Sequence, residues 1–289
     1  MFNKFKLMRR LIFVFIFVLT ATTNLLAQGV YDDFIYNRQA VTERRVVPWP
    51  YLREADVMWA KRVVRMIDVR EKQNQPMAWP KNPLSIILYN AVTEGKLIPY
   101  RNDSLTSQLS IEEFMALGTD TSFQETPIDP NDPTITKLDT LVDPFRPEER
   151  IKKYRIVEDW IFDKKHSTMY VRIISIAPRY VLRVKGVDIA EQDLCVLKYH
   201  AKEGSGETDL RNFLVNYEVF NRQNDAARLT YDDWFEQRMF YSYIIKESNQ
   251  HDMYIKEYAE FKDNGLAAVL EGERIKQQLF EMEHDLWEY

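Results

Sequence analysis

The spacing of apolar and polar positions changes several times along the chain. Over 52–67, Leu52, Ala55, Trp59, Val63 and Met66 recur at intervals of three and four, the spacing of one helical face. "KNPLSIILYNAVTEG" (81–95) reads as a second helix, with Asn82 as N-cap, Pro83 in the first turn and Gly95 as terminator. Ser110 and Glu113 form a capping box for a short helix ending near Gly118, with Leu109 and Phe114 placed as its hydrophobic staple. From residue 151 the period becomes two: Tyr154, Ile156, Trp160 and Phe162 share one parity, and Lys153, Arg155, Asp159 and Asp163 the other. That alternation predicts a strand with one buried face. "TMYVRIISIA" (168–177), "YVLRVK" (180–185) and "LCVLKYH" (194–200) continue as strands, for which an antiparallel meander is the economical topology. Helices then return. Thr208 caps "DLRNFLVNYEVF", and Thr230 with Asp233 caps a helix whose "MFYSYII" run (239–245) is apolar on most sides. Ile275, Leu279, Met282, Leu286 and Tyr289 form a heptad-like stripe too brief for a coiled coil.

The pattern predicts an α+β fold, with N-terminal helices, a central antiparallel sheet of about four strands, and C-terminal helices. Residues 119–150 hold five of the twelve prolines and lack apolar periodicity, which marks a loop or linker. The organisation expected is a leader over 1–27, an arm and helical region over 28–118, the proline-rich segment 119–150, and strands followed by helices over 151–289. The last region shares one core with 48–118.

The leader has its own signature. Lys4, Lys6, Arg9 and Arg10 precede the apolar run "LIFVFIFVL" (11–19), and "LLAQ" (25–28) offers cleavage after Ala27, the pattern of a secretory signal peptide. The alternative, an uncleaved anchor, needs about 20 apolar residues, and this run falls well short. No cysteine lies near the cut, so a lipoprotein anchor is not expected. The formal charge of −5 becomes more negative once the four leader cations are removed. An acidic exported chain offers no electrostatic footprint for nucleic acid or anionic lipid.

Composition narrows the chemistry. The single cysteine, Cys195, rules out an intramolecular disulfide, and its place in "LCVL" is that of a buried thiol. Eight scattered glycines form no phosphate cradle. The four histidines, His166, His200, His251 and His284, have no zinc-ligand spacing, so no metal or other cofactor is expected. "DPNDP" (129–133) has acids but lacks a calcium-loop glycine. One enzymatic reading stands: Glu158 shares the parity of Trp160 and Phe162, so a carboxyl pressed into an apolar face would serve as general acid, with Asp159 or Asp163 as second carboxylate. Its alternative is a pairing with Lys152, Arg172 or a backbone donor.

Three stretches carry a family resemblance: "READVMWAKRVVRMIDVREKQN" (53–74), "YRIVEDWIFDKKHSTMYVRIISIAP" (154–178) and "FNRQNDAARLTYDDWFEQRMFYSYIIKESN" (220–249). The chain resembles the gliding motility family GldN, called PorN in non-gliding relatives, of Bacteroidetes. The resemblance implies a non-enzymatic periplasmic subunit of the type IX secretion system. It further implies a ring at the inner face of the outer membrane, built with a GldK/PorK-type outer-membrane lipoprotein and met by the GldM/PorM-type motor subunit. It brings no catalytic residues.

A ring subunit needs two different surfaces, because one self-complementary patch gives only a dimer. The interface candidates are Trp49 and Tyr51 in "PWPY", where prolines pre-extend the arm and aromatics anchor it, and Trp287 and Tyr289 at the C-terminus. For Trp49 the alternative is that it folds back onto its own helix, and for the C-terminal stripe that it is intramolecular core. The sixteen tyrosines, sixteen phenylalanines and six tryptophans suit both cores and interfaces. Two function classes follow: a secretion-machine scaffold, or a periplasmic carbohydrate- or peptidoglycan-active protein using Glu158.

Overall fold

A computed structural model describes residues 44–129, 132–184, 187–200 and 209–287, and residues 44 onward cluster as one compact unit. The fold is mixed helix and sheet around a seven-stranded antiparallel sheet of order β11-β1-β5-β6-β8-β2, with β7 also paired to β6. Its strands are β1 (Val57–Asp68), β2 (Pro99–Tyr100), β5 (Ile151–Asp163), β6 (Thr168–Val184), β7 (Val187–Asp193), β8 (Val196–Lys198) and β11 (Tyr243–Glu247). Two smaller pairs stand apart, β3 (Asp120–Asp129) with β4 (Asp132–Asp143) and β9 (Glu218–Val219) with β10 (Leu229–Thr230). The helices are α1 (Leu84–Thr93), α2 (Ile111–Ala116), α3 (Pro147–Arg150), α4 (Leu210–Leu214), α5 (Tyr231–Glu236) and α6 (Gly265–Trp287).

The α+β class and central antiparallel sheet are as expected, but the sheet has seven strands rather than about four. The largest correction is at 52–67. After a 3-10 turn at Glu54–Asp56, this stretch is strand β1, between β11 and β5, and not an amphipathic helix. Its first half alternates in burial, as a strand should, while Val63–Ile67 are buried on both faces, and double burial erases the two-residue period. The "MFYSYII" run is not helical either: burial alternates along it, with Phe240, Ser242 and Ile244 buried, but the exposed positions Met239 and Tyr241 are also large and apolar, which hides the two-residue period in the sequence. The helix before it stops at Glu236, Arg238 turns with a left-handed φ of 53°, and Tyr243–Glu247 form strand β11 beside β1. Residues 168–184, expected as two strands, are one; β6 changes partner from β8 to β7 around Pro178, whose missing N–H is tolerated where the ladder is exchanged.

Where a loop or linker was expected, the described residues form strands β3 and β4 and helix α3. Pro127 lies in β3 opposite Thr136 beside a register shift, Pro133 is the second residue of β4, and Pro147 opens α3, where a missing N–H costs nothing. The Ser110–Glu113 capping box is present, with Leu109 and Phe114 buried in one cluster. Gly118 follows at φ 79°. In α1, Pro83 and not Asn82 is the N-cap residue; the Asn82 amide instead donates to the Glu218 carbonyl at 2.6 Å. Thr208 lies outside the described residues, and the five-residue α4 is capped by Asp209. Thr230 and Asp233 make the capping box of α5 as expected.

Two apolar clusters cover the sheet. The larger joins Ile67, Tyr154, Ile156 and Tyr180 to Ile87, Leu88 and Ala91 of α1, and to Leu214, Trp234 and Phe235 from the later helices. The smaller joins Val63, Trp160 and Ile244 to Ala268, Ile275 and Leu279 of α6. Ile275 and Leu279, the start of the C-terminal stripe, are therefore core; Met282 is partly exposed. Where α6 crosses β11, a Cβ on Gly272 would lie 2.6 Å from the Ile244 carbonyl oxygen. Gly272→Ala should lower stability by roughly 1–3 kcal/mol through that overlap, outweighing the gain of about 1 kcal/mol in helix propensity. A lower urea midpoint checks it.

Candidate interaction surface and buried charge cluster

Strand register sets the surroundings of Glu158. It lies opposite Val63 across β1 and β5, while Arg65 lies opposite Ile156. By strand parity these side chains share one face, between Ile67 of the larger cluster and Trp160 of the smaller. Glu158 has no exposed surface. Its oxygens accept from Arg238 Nη1 and Nη2 at 2.9 and 3.1 Å and from Trp160 Nε1 at 2.9 Å, with Arg65 Nη1 at 3.6 Å. Arg65 itself donates to the Ser242 hydroxyl and carbonyl at 2.8 and 3.0 Å. Burial pulls the Arg65 guanidinium down from its ordinary value, and Glu158 opposes that pull.

The general-acid reading of Glu158 finds no support in this geometry. Every contact uses it as an acceptor, and the cleft of about 480 Å³ bordered by Arg155, Arg179, Tyr254 and Val269 does not include it. Asp159 is engaged by Arg62 at 2.8 and 2.9 Å. By parity it lies on the opposite face, so the two carboxyls do not meet. Asp163 is held by His166 Nδ1 at 2.6 Å, which is the main cause of its lowered pKa. The expected partners Lys152 and Arg172 do not reach Glu158; Arg65 and Arg238 do. Both were missed because Arg65 reads as the solvated side of a helix, and Arg238 lies eighty residues away with no signal beyond its charge.

The segment preceding β1 is an extended strap. Arg44 pairs with Asp233 at 3.2 Å, the Val47 carbonyl accepts from Arg211 at 3.1 Å, and the Pro50 carbonyl accepts from Arg172 at 2.6 Å. Trp49 is the anchor. Its Nε1 donates to Glu236 at 2.8 Å, its ring lies 4.7 Å from His200 and 6.3 Å from Tyr199, and the Arg211 and Arg172 guanidinium carbons sit 4.9 and 5.4 Å from its centroid. Below it, Arg211 pairs with Asp232 at 3.0 Å; burial draws its pKa down, but Asp232 and Glu236 more than restore it. Tyr199 is pushed well up by burial and donates to Asp232 at 3.1 Å.

Trp49 thus folds back on its own chain, though onto residues 199–236 rather than onto a helix beginning at 52. Its neighbours point outward: Val47 is 75% and Tyr51 89% exposed. Trp287 ends α6 with its side chain outside the described residues, and Tyr289 lies outside them altogether. Cys195 is buried, and burial pushes its thiol up. Among the described residues no three His, Cys, Asp or Glu side chains group as a metal site.

Residues 52–288 match the family model described as gliding motility associated protein GldN. No curated protein matches the chain.

Glu158→Gln leaves Arg65 buried without its counter-charge, so stability should fall by about 3–5 kcal/mol, the usual result of removing one partner of a buried ion pair. Urea unfolding followed by tryptophan fluorescence reads this. Glu158→Gln combined with Arg65→Met should lose less than Glu158→Gln alone.

Proposed function

Because the chain belongs to the GldN family of gliding motility associated proteins, we propose that it is a non-enzymatic structural subunit of the type IX secretion and gliding machinery. It acts in the periplasm, against the inner face of the outer membrane. There it forms a ring with a GldK/PorK-type lipoprotein and meets the GldM/PorM-type motor subunit. Export is supported by the charged-then-apolar leader. No helix among the described residues is long and apolar enough to cross a membrane; in this reading the lipoprotein partner supplies the association with the outer membrane.

The observation that carries this reading is the strap at 44–51. A half-buried, hydrogen-bonded tryptophan fixes its path, while the flanking Val47 and Tyr51 are left on the surface. Fixing the backbone before contact lowers the entropic cost of binding, and an exposed tyrosine beside an aliphatic side chain suits a protein partner. The carbohydrate-active alternative depended on Glu158, which the ion cluster occupies.

Affinity isolation from envelope membranes tests the proposal. Recovery of an outer-membrane lipoprotein in near-equal amount is the expected result; glycan retention without a protein partner would overturn it. In the same assay Tyr51→Ala with Val47→Asp should weaken partner recovery at least tenfold while leaving the melting temperature within about 2 °C of wild type, as surface changes of small stability effect do. Trp49→Ala should lower both.

A further inference from the structure

Strand β1 is paired along its whole length on one side and only partly on the other. β5 covers Val57–Asp68, whereas β11 reaches only Val63, Val64, Arg65 and Met66. One further bond, from the Ser248 N–H to the Arg62 carbonyl at 2.8 Å, closes that ladder, and Asn249 then turns the chain away by accepting from the N–H groups of His251 and Met253. The Arg62 carbonyl therefore faces the β11 side. In a strand the backbone groups two residues away face the same side, so Ala60 presents its N–H and C=O to an edge with no partner among the described residues. Met58, where the register with β5 slips, is 59% exposed beside it.

A second open edge lies on the β3–β4 ribbon. β4 pairs with β3 alone among the described residues, and β3 is the strand that approaches β6, which leaves the outer edge of β4 free. Two strands of ten and twelve residues are marginal in water without a third. Pro133 stands near the start of β4, so Thr134–Asp143 keeps a ladder donor at every residue.

Charge selects how these edges combine. The ribbon carries Asp120, Glu125, Asp129, Asp132, Asp139 and Asp143 against Lys137 alone. Val57–Arg62 carries Lys61 and Arg62 and no acid. Each of these cations already holds one carboxylate of its own chain, Glu247 and Asp159, yet the Arg62 side chain is still 57% exposed. Ribbon against ribbon would oppose acid with acid, and β1 against β1 would oppose Lys61 and Arg62 with themselves; like charges facing across strands are destabilising. Ribbon against β1 opposes unlike charges.

We propose that the outer edge of β4 in one copy adds to the β1 edge at Val57–Arg62 of the next, making a head-to-tail intermolecular sheet. The inference rests on the self-association in the functional reading above and supplies its contact. Two different patches are used, so the contact repeats around a ring instead of stopping at a dimer.

The test uses the whole chain expressed in its native envelope, with Ala60→p-benzoylphenylalanine as a photo-cross-linker. Cross-links to residues 120–143 of a second copy support the proposal; cross-links confined to residues 28–43, to another protein, or to nothing overturn it. Ala60→Pro removes one outward N–H and leaves the β5 ladder intact. It should retain wild-type circular dichroism and lose at least tenfold in assembly on a sizing column, with Ala60→Val assembling normally. Assemblies that survive Ala60→Pro overturn the strand pairing alone. A wild-type chain that stays monomeric in the presence of its envelope partners overturns the ring reading as well.

Discussion

The contact on which the fold most depends is the buried meeting of Glu158 with Arg65, Arg238 and the Trp160 indole. It ties β1 and its long neighbour β5 to the turn after α5, and through Ser242 to the approach of β11. Desolvating these charges costs several kcal/mol per ion before the pairing offsets it, so the cluster is a poor source of net stability. It acts on specificity. Val63–Ile67 are buried on both faces, and such a strand has little apolar alternation to forbid a one-residue slip. A slip here would carry Arg65 away from Glu158 and leave both charges unpaired in the core.

The same device recurs at the strap. Arg211 is almost fully buried and reaches Asp232, Glu236, the Val47 carbonyl and the face of Trp49. A connecting segment with few apolar contacts of its own is thereby fastened to the helical layer. Each buried arginine among the described residues lies where two parts of the chain distant in sequence must be joined: Arg65 to Ser242, Arg150 to the Gly118 carbonyl, Arg155 to Asp103 and Asp193, and Arg211 to Val47. A planar guanidinium with five donors suits such junctions better than an ammonium.

Sequence legibility follows from this. Strand β5 is buried on both faces over Tyr154–Glu158, yet it was readable because Lys153, Arg155, Asp159 and Asp163 mark its second face with charge, and the Ser110–Glu113 and Thr230–Asp233 caps were readable because capping is local chemistry. β1 was misread because burial of Val63–Ile67 on both sides removes the period, and five apolar residues at three- and four-residue spacing then imitate a helix; β11 was misread because exposed Met239 and Tyr241 are as apolar as the buried positions between them. The ribbon was hidden by prolines that count against a strand until their placement near its ends is known. The Glu158 neighbourhood was half legible: its parity placed it on the apolar face, but partners from positions 65 and 238 are set by topology, which local pattern does not encode.

A protein that folds only to stay monomeric protects its strand edges with charge, prolines or a covering helix. Here the protection is uneven. α6 lies across β11, and its glycine permits close approach to the Ile244 carbonyl, so the C-terminal helix covers the outer edge of the sheet there. The same cover stops short of the first half of β1, although extending β11 by a few residues would have closed it. Ser248 instead makes one terminal bond, and the Asn249 side chain, bonded to two carbonyls and to the N–H groups of His251 and Met253, turns the chain aside. That turn is a built feature, held by four hydrogen bonds of one side chain, and its effect is to leave the β1 edge uncovered. An opening kept by specific local structure, on a chain whose charged core fixes the register of the strand behind it, provides a rigid edge for strand addition.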